Sequence, residues 1–319
     1  MYKQNLKPKF LGCLVGLAIG DGLGSWREGR GIAQRGEIES LTERLERLAY
    51  TDDTHMTIGV AESLIESKGF NGEYMAQTFI KNFEAEPWRG YGPGPPRIFR
   101  MIKSGEPWDS AASKIYQGGS FGNGSAMRVA PAGLLYSRDP ETLREIAYQS
   151  SSITHSHELG KEGAALQAYA VALALNTSSD GDIDREAFIL KLQDFAQNQL
   201  YKEKIAQIKE LLDEQDRAKV VTILGNGIEA PRSVPTAIYC FLKQPKSYKD
   251  SVIYAISLGG DTDTIASMAG VISGAYLGIE AIPQEWIAKL ENRNYIEALA
   301  EKLWRLATFF HTIFNPSSV

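Results

Sequence analysis

Two acidic segments of this 319-residue chain each place a pair of aspartates among threonines, just before an apolar run of small residues. The first reads AYTDDTHMTIGVAESL, and the second, about two hundred residues later, reads SLGGDTDTIASMAGVISGAYLG. Either segment alone is more typical of a helix N-cap, because Asp and Thr oxygens accept the first free amides of a helix. A cap needs one acceptor, whereas these segments offer Thr51, Asp52, Asp53 and Thr54 in the first and Asp261, Thr262, Asp263 and Thr264 in the second.

The chemistry that suits such residues is the binding of a hard divalent cation. Four carboxylates brought together would repel one another and raise one another's pKa, unless a cation held them. Carboxylate and hydroxyl oxygens suit Mg²⁺ or Mn²⁺, and the sequence has no Cys or His cluster of the kind that zinc prefers. The pair of segments therefore favours a shared metal site over two separate caps.

The second segment also satisfies the D-x-D-x-T pattern of haloacid-dehalogenase phosphatases. In that interpretation Asp261 is a nucleophile and Asp263 a general acid. In such a phosphatase the pattern lies at the end of a hydrophobic strand near the beginning of an α/β chain, and further catalytic motifs follow it. Only 56 residues follow Asp263, and the stretch after it has helical spacing, so the phosphatase is a remote alternative.

Two further segments carry groups that can bind a ligand. GGSFGNGSAMR is a glycine-rich turn before a helical segment, and its amides can cradle a diphosphate without a basic side chain. Glycine-rich loops more often serve tight turns, so this signal is weak alone. THSHELG holds His155 and His157 near a helix start, where a histidine is more often a local hydrogen-bonding residue than a catalyst.

The elements that must position these residues are predicted to be helices. Apolar spacing of three and four recurs in six stretches, and strand alternation is scarce. Near the N-terminus, Gly12, Gly16 and Gly20 fall near one helix face, where they would let another backbone approach closely. That apolar stretch is too short to span a bilayer and lacks a signal-peptide cleavage site. We therefore predict one all-α domain over residues 1–319, with a buried first helix.

Composition narrows the classes of function. The hydrophobic fraction of 43% and the charged fraction of 23% are ordinary for a folded globular protein. A net charge of -5 without clustered Lys and Arg argues against nucleic-acid or membrane partners. Cys13 and Cys240 form neither a metal-type pair nor a disulfide framework, which indicates a reducing compartment, by default the cytoplasm. Nothing in the sequence demands more than a monomer.

Seven segments together resemble the ADP-ribosylglycohydrolase family, in the expected order between about residues 10 and 280. The family includes the dinitrogenase-reductase-activating glycohydrolases and the ADP-ribosyl-acceptor hydrolases, and the chain looks most like the branch that acts on serine-linked ADP-ribose and poly(ADP-ribose). The resemblance implies an orthogonal all-α bundle with two Mg²⁺ ions, or Mn²⁺ in some members, at the base of a cleft. The segments are GCLVGLAIGDGLGSWREGR, YTDDTHM, YGPGPPRIF, GGSFGNGSAMRVAPAG, THSHELGKEGAALQA, GNGIEAPRSVPTAIYCFL and SLGGDTDTIASMAG.

The resemblance also implies roles for individual residues. Glu28, in GDGLGSWRE, falls where the serine-type branch keeps a mobile catalytic glutamate, and glycines 22, 24, 29 and 31 are consistent with a loop that moves. Asp261 is assigned to the catalytic set together with Glu28. The metal ligands implied by the family are Thr51, Asp52 and Asp53 in the first set and Asp261, Asp263 and Thr264 in the second.

The binding residues implied by the resemblance lie in three segments. Phe121 stands where the serine-type branch tends to carry tyrosine, a change that preserves stacking on adenine but not a hydroxyl contact. His155, and not His157, is directed toward the distal ribose and phosphate, and Ile228 lines the adenosine end. The matching glycine-rich loop contributes Gly119, Ser120, Gly122 and Asn123.

The expected activity is metal-assisted hydrolysis of the glycosidic bond at the distal ribose. Its expected substrates are serine-linked ADP-ribose on proteins, poly(ADP-ribose) and O-acetyl-ADP-ribose. An arginine-specific ADP-ribosyl hydrolase and a non-catalytic ADP-ribose-binding module remain alternatives.

Overall fold

The structure is a computed structural model that describes residues 6–314; residues 1–5 and 315–319 of the expected domain lie outside this part of the chain. Between residues 6 and 314 the elements are sixteen α-helices and four short 3-10 helices, and only isolated β-bridges occur there. The prediction of an all-α orthogonal bundle is confirmed.

The α-helices form most of the described chain, and several joining segments line the cleft described below. In chain order their bounds are α1 Lys7–Gly24, α2 Arg35–Arg44, α3 Asp52–Glu66, α4 Gly72–Ala85, α5 Gly94–Lys103, α6 Ala130–Leu135, α7 Pro140–Ser152, α8 Glu158–Asn176, α9 Arg185–Phe195, α10 Gln199–Leu211, α11 Arg217–Leu224, α12 Ala230–Lys243, α13 Tyr248–Ser257, α14 Thr262–Leu277, α15 Gln284–Lys289 and α16 Arg293–Phe314. The 3-10 helices are Ser25–Arg27, Ala111–Lys114, Asn123–Ser125 and Ile279–Ala281.

Helices α1 and α14 pack backbone against backbone through small residues. A Cβ atom placed on Gly12 would lie 2.6 Å from the carbonyl oxygen of Gly274, and one on Gly20 would lie 2.3 Å from that of Ala266. Both distances are far shorter than a van der Waals contact, so only glycine permits this approach. The prediction that the glycine face of the first helix admits another backbone is confirmed.

This packing fixes where the second acidic segment begins. At the last turn of α1, a Cβ atom on Gly24 would lie 2.6 Å from the Cα of Asp263, so α1 ends directly against the first turn of α14. The Thr262 hydroxyl donates a hydrogen bond of 2.7 Å to the Gly24 carbonyl. Gly22 and Gly24 are therefore buried helix positions, which corrects the expectation that they belong to a mobile loop.

Helix α14 follows α13 through a short turn at residues 258–261. The phosphatase alternative requires a hydrophobic strand at this point of the chain. No strand is present in residues 6–314, which removes the structural basis for that alternative.

The two cysteines and the apolar first helix also occur as predicted. Cys13 and Cys240 are free and buried, and burial raises the pKa of both thiols. Helix α1 is almost entirely buried in the core. Among the described helices, none has the length and apolar character needed to cross a membrane.

We expect Gly274→Ala to lower the free energy of unfolding by about 1–3 kcal/mol, the usual cost of overpacking a core. The added Cβ would lie 2.0 Å from the Gly12 carbonyl oxygen, and a backbone atom cannot rotate away as a side chain can. Gly36→Ala is the matched control, because nothing lies within 4 Å of a Cβ at that position. Urea unfolding of both variants measures the difference, and equal midpoints would contradict the close approach of α1 and α14.

Candidate functional site

A cleft of about 310 Å³ brings together the starts of α3 and α14, the glycine-rich loop and the Glu28 segment. Residues that the sequence did not single out also line it, among them Tyr116, Met127, Arg128 and Thr154. Gly119 and Phe121 are the predicted site residues that do not line it. The predicted residues in its wall are Glu28, Thr51, Asp52, Asp53, Ser120, Gly122, Asn123, His155, Ile228, Asp261, Asp263 and Thr264.

The two acidic segments meet in this cleft. One carboxylate oxygen from each of Glu28, Asp261 and Asp263 lies within 4.8 Å of the others. The Thr264 hydroxyl donates a hydrogen bond of 3.3 Å to Asp53 Oδ1, which joins the second segment to the first. The sequence prediction that these distant segments share a site is therefore matched by their position in the fold.

The carboxylates of this cluster are electrostatically unfavourable without a cation. Burial, followed by repulsion from Asp21, raises the pKa of Asp52 to about 7. Burial, followed by repulsion from Asp261 and Glu28, raises the pKa of Asp263 to about 9. The same two causes raise the pKa of Asp53, whose nearest acidic neighbours include Asp21 and Asp263. Bringing these groups together as anions costs free energy that a bound cation would recover.

The donor set fits a hard divalent cation. Asp53 Oδ2 is buried and has no hydrogen-bond partner among the described residues, which is costly for a carboxylate oxygen unless a cation contacts it. Its neighbours in the cleft offer carboxylate and hydroxyl oxygens, the ligands that Mg²⁺ and Mn²⁺ prefer. The acidic cluster is therefore a candidate metal centre.

Asp21 holds the start of α3, a role that sequence reasoning missed. Its buried carboxylate accepts hydrogen bonds from the backbone amides of Thr51 and Thr54 at 3.0 Å each, and from both threonine hydroxyls. Burial raises its pKa to about 6, although these hydrogen bonds favour the charged form. The Thr51 hydroxyl donates its proton to Asp21 and accepts a hydrogen bond of 3.3 Å from the Asp53 amide, which leaves one lone pair for another partner. A charged residue inside the apolar glycine run of α1 was the available sequence signal.

Asn123 connects the glycine-rich loop to the acidic cluster. Its side-chain amide donates one hydrogen bond to Asp261 and a second, of 3.1 Å, to the Ser233 hydroxyl. Both amide protons are thereby used within the protein. This geometry lets Asn123 orient Asp261, in addition to the contact with ligand that the resemblance implied for this residue, which lines the cleft.

The glycine-rich loop is held in place through its backbone. Gly118 and Gly119 have φ values of +81° and +86°, and a Cβ on Gly119 would lie 2.5 Å from the backbone nitrogen of His157. Phe121 accepts a hydrogen bond of 3.0 Å from the amide of Ala230. The segment that follows is a 3-10 turn, so the helical segment predicted after the loop begins only at α6. Loop amides, rather than an α-helix terminus, are thus the groups available to an anion.

Two predicted adenosine contacts are exposed hydrophobic side chains near this loop. Phe121 is 43% exposed and Ile228 is 67% exposed, which is unusual for large apolar groups. The Phe121 ring packs edge-on against His157 with 5.4 Å between centroids. The Asn123 amide donates to the Ile228 carbonyl at 2.8 Å, so the two segments that carry these side chains are paired.

His155 is a buried histidine in the wall of the cleft. Burial and the neighbouring Arg128 guanidinium lower its pKa to about 3, so its imidazole is neutral at physiological pH. His157 instead accepts a hydrogen bond from the amide of Leu159 and caps α8. The sequence analysis assigned a role in ligand binding to His155 and not to His157. Their different surroundings are compatible with that assignment.

The segment YGPGPPRIF forms a wall of the cleft beside the first acidic segment. Gly90, Gly92 and Pro93 line it, and a Cβ on Gly90 would lie 3.9 Å from Asp52 Oδ1. The Tyr91 hydroxyl lies 2.8 Å from His55 Nδ1 on α3 and so attaches the segment to that helix. Sequence reasoning used this segment for the resemblance only.

Comparisons with known proteins find relatives that cover most of this chain. A model of the ADP-ribosylglycohydrolase family matches residues 2–309. The chain is 36% identical to ADP-ribosylhydrolase ARH3 of Mus musculus, over 97% of this chain and 93% of that protein, and 37% identical to ADP-ribosylhydrolase ARH3 of Homo sapiens, over 93% of each. A solved structure of an ADP-ribosylglycohydrolase-related protein complex superposes with a TM-score of 0.76 at 25% identity, covering 95% of this chain and 99% of that one. The chain therefore belongs to the ADP-ribosylglycohydrolase family.

Proposed function

We propose that this enzyme hydrolyses the glycosidic bond at the anomeric carbon of the distal ribose in ADP-ribosylated substrates. The supporting observation is that one cleft holds the clustered carboxylates of Glu28, Asp261 and Asp263 together with the backbone of a glycine-rich loop. Paired carboxyl groups are the groups that commonly catalyse hydrolysis at the anomeric carbon of a sugar, and a glycine-rich loop suits a diphosphate. The relatives named ADP-ribosylhydrolase support the same class of substrate.

The proposed cofactor is Mg²⁺, as two ions, with Mn²⁺ as the alternative. The aspartates and threonines of the two acidic segments offer oxygen donors, and the unpartnered Asp53 Oδ2 supports a cation there. Bound Mg²⁺ would supply positive charge that orients the ribose hydroxyls and stabilises negative charge on oxygen. The proposed ligands are Thr51, Asp52, Asp53, Asp261, Asp263 and Thr264.

In this proposal Glu28 exchanges a proton with the leaving group or with water. Its exposure suits that role, because a group in contact with solvent can both take up and release the proton. The buried carboxylate of Asp261 contributes negative charge close to the sugar, which favours an oxocarbenium-like transition state. Asn123 keeps that carboxylate in place through its amide.

The remaining residues bind the substrate. The loop of Gly119, Ser120 and Gly122 holds the diphosphate, and Phe121 and Ile228 provide apolar contact for the adenosine. Within the loop the Gly119 amide donates to the Tyr116 carbonyl and the Gly122 amide to the Ser120 hydroxyl, so the Ser120 amide is the one of these three that can donate to the anion. Their exposure in the free protein supports a role in binding, since covering them with an adenine would remove apolar surface from water.

We further propose that the substrates are serine-linked ADP-ribose on proteins, poly(ADP-ribose) and O-acetyl-ADP-ribose, rather than arginine-linked ADP-ribose. A guanidinium leaving group is planar and cationic, and needs a carboxylate placed for two parallel hydrogen bonds. Glu229 lies 3.7 Å from Arg232 in an ion pair, and Glu158 is exposed at the start of α8. Neither lines the cleft, whose described carboxylates all belong to the acidic cluster or to Glu28.

We therefore expect hydrolysis of a serine-ADP-ribosylated peptide to be at least about tenfold faster than that of the matched arginine-modified peptide, because the arginine lacks a partner carboxylate. Initial rates with Mg²⁺ present, measured by release of ADP-ribose from both peptides and from poly(ADP-ribose), test this. Equal rates, or a preference for arginine, would show that the proposed linkage is wrong. Binding of ADP-ribose without release from any substrate would favour a non-catalytic binding module.

A further inference from the structure

Arg128 is a buried cation in the wall of the cleft, and among the described residues no carboxylate forms an ion pair with it. Its side chain is 1% exposed, and its guanidinium donates to the Gly124 carbonyl at 3.2 Å, the Ser150 carbonyl at 3.0 Å and the Thr154 hydroxyl at 2.8 Å. The ring of Phe79 lies 4.8 Å from the guanidinium carbon. A guanidinium has donors only, so at each of these contacts the partner is obliged to accept.

The contact with Arg128 therefore determines the direction of the hydrogen bond between Thr154 and His155. Thr154 Oγ1 accepts from Arg128 and also lies 2.8 Å from His155 Nδ1. Within residues 6–314 the hydroxyl proton has no other acceptor at hydrogen-bond distance. A buried hydroxyl proton without an acceptor is costly, so the satisfied arrangement has Thr154 donating to Nδ1. In a neutral imidazole that accepts at Nδ1, the proton is on Nε2.

The other side of the imidazole faces the glycine-rich loop. A Cβ on Gly124 would lie 2.7 Å from His155 Cε1, so glycine is needed there, and one on Gly122 would be in tight contact with Nε2 at 3.3 Å. Nε2 has no hydrogen-bond partner among the described residues. The ring is thus packed against the loop with one nitrogen occupied by Thr154 and the other available to a ligand in the cleft.

We propose that Arg128 and Thr154 are positioning residues that fix His155 as its neutral Nε2–H tautomer, so that it donates a hydrogen bond into the cleft. The surroundings keep this donor uncharged, because burial and the Arg128 charge both lower the pKa of His155. Ribose and phosphate oxygens are acceptors, so a fixed donor matches them, whereas the other tautomer would present a second acceptor and repel them. The nature of this ligand rests on the proposed function; the tautomer does not.

The tautomer is measured directly by ¹⁵N NMR of the imidazoles, which are only four in this chain. In the metal-free and ligand-free parent, His155 should show a protonated Nε2 and an unprotonated Nδ1 at neutral pH. The assignment comes from the loss of that signal set in His155→Gln. A protonated Nδ1 in the parent would overturn the proposal without any variant having to fold.

Thr154→Val and Thr154→Ser then test the residue that acts through His155. Valine keeps the shape and removes the hydroxyl, so the two nitrogen shifts of His155 should move toward the averaged values of an unconstrained imidazole. Affinity for ADP-ribose should fall about threefold to tenfold, as for one lost hydrogen bond, while serine should restore both readouts. Unchanged ¹⁵N shifts in Thr154→Val would overturn the role of Thr154.

The two readouts separate this inference from the proposed function. If the enzyme neither binds nor hydrolyses ADP-ribose but the parent carries the Nε2–H tautomer that Thr154→Val disturbs, the proposed function fails and the positioning inference stands. If hydrolysis is confirmed and the parent carries the Nδ1–H tautomer, the proposed function stands and the positioning inference fails. Amide spectra of the two Thr154 variants show whether each remains folded.

Discussion

Replacing Asp263 by asparagine is expected to weaken Mg²⁺ binding by more than about 100-fold and to bring hydrolysis of ADP-ribosylated substrates to background. Loss of a residue that only orients a metal ligand costs about 10–100-fold in affinity, and loss of a proposed ligand should cost more. Asp263 is buried and its carboxylate lies within 4.8 Å of those of Glu28 and Asp261, so the neutral amide removes charge at the centre of the cluster. Titration calorimetry with Mg²⁺ and product release measure the two effects.

The same substitution should not weaken the metal-free fold at alkaline pH. The pKa of Asp263 is raised to about 9, first by burial and then by Asp261 and Glu28. A carboxyl group whose pKa is raised by folding contributes stability that is fully present below its unfolded pKa, near 3.9, and is lost as the pH rises toward 9. At pH 8 in a chelator, the asparagine variant should therefore have a thermal midpoint at least equal to that of the parent.

Asp184→Asn is the matched control, because Asp184 caps α9 on the surface by accepting from the amide of Ala187 at 2.9 Å. Asparagine caps a helix about as well as aspartate does, so this variant should keep the cap, the metal binding and the hydrolysis. If Asp263→Asn binds Mg²⁺ as the parent does, the acidic segments are helix caps and the proposed metal site is wrong.

The packing of α1 against α14 was predictable because it depends on spacing alone. Glycines at every fourth position share one face of any α-helix, whatever the rest of the chain does, so Gly12, Gly16 and Gly20 identify a close contact before its partner is known. The partner, Gly274 on α14, has the same small-residue character, but the pairing of the two helices follows from the whole fold. The glycine spacing therefore predicted a close contact between two helix backbones, but it did not identify the partner helix.

Asp21, Asn123 and Arg128 illustrate what the sequence did not supply. Each acts across a long separation, as when Asn123 donates to Asp261 or Asp21 accepts from Thr54. Residue type shows that such a group needs a partner when buried, but the partner depends on which elements the fold brings together. The proposed metal ligands were recognisable because several residues of one chemical type stand side by side in the sequence. The residues that hold them in place stand alone.

Glu28→Gln is expected to lower the turnover number by about 10²–10⁴, the usual contribution of a general acid or base. Its carboxylate lies in the acidic cluster while the residue itself remains exposed, and the backbone next to it is firmly held. Gly29 donates to the Gly260 carbonyl at 2.8 Å, and Gly260 donates to the Arg30 carbonyl at 2.8 Å. Glutamine fits the same space on the same backbone, so the substitution removes proton exchange without moving the segment.

Binding and chemistry should separate in this variant. Affinity for ADP-ribose should stay within about tenfold of the parent, because in the proposal Glu28 acts on the leaving group or water rather than on the diphosphate or adenosine. Single-turnover rates on a serine-ADP-ribosylated peptide, combined with calorimetric binding of ADP-ribose, distinguish the two quantities. Glu141→Gln, an exposed position on α7, is the control for the loss of one negative charge and should change neither. An undiminished single-turnover rate for Glu28→Gln would refute the role of Glu28 as acid or base. A parallel fall in rate and affinity would instead make Glu28 a binding residue, a role that its closeness to Asp261 and Asp263 also permits.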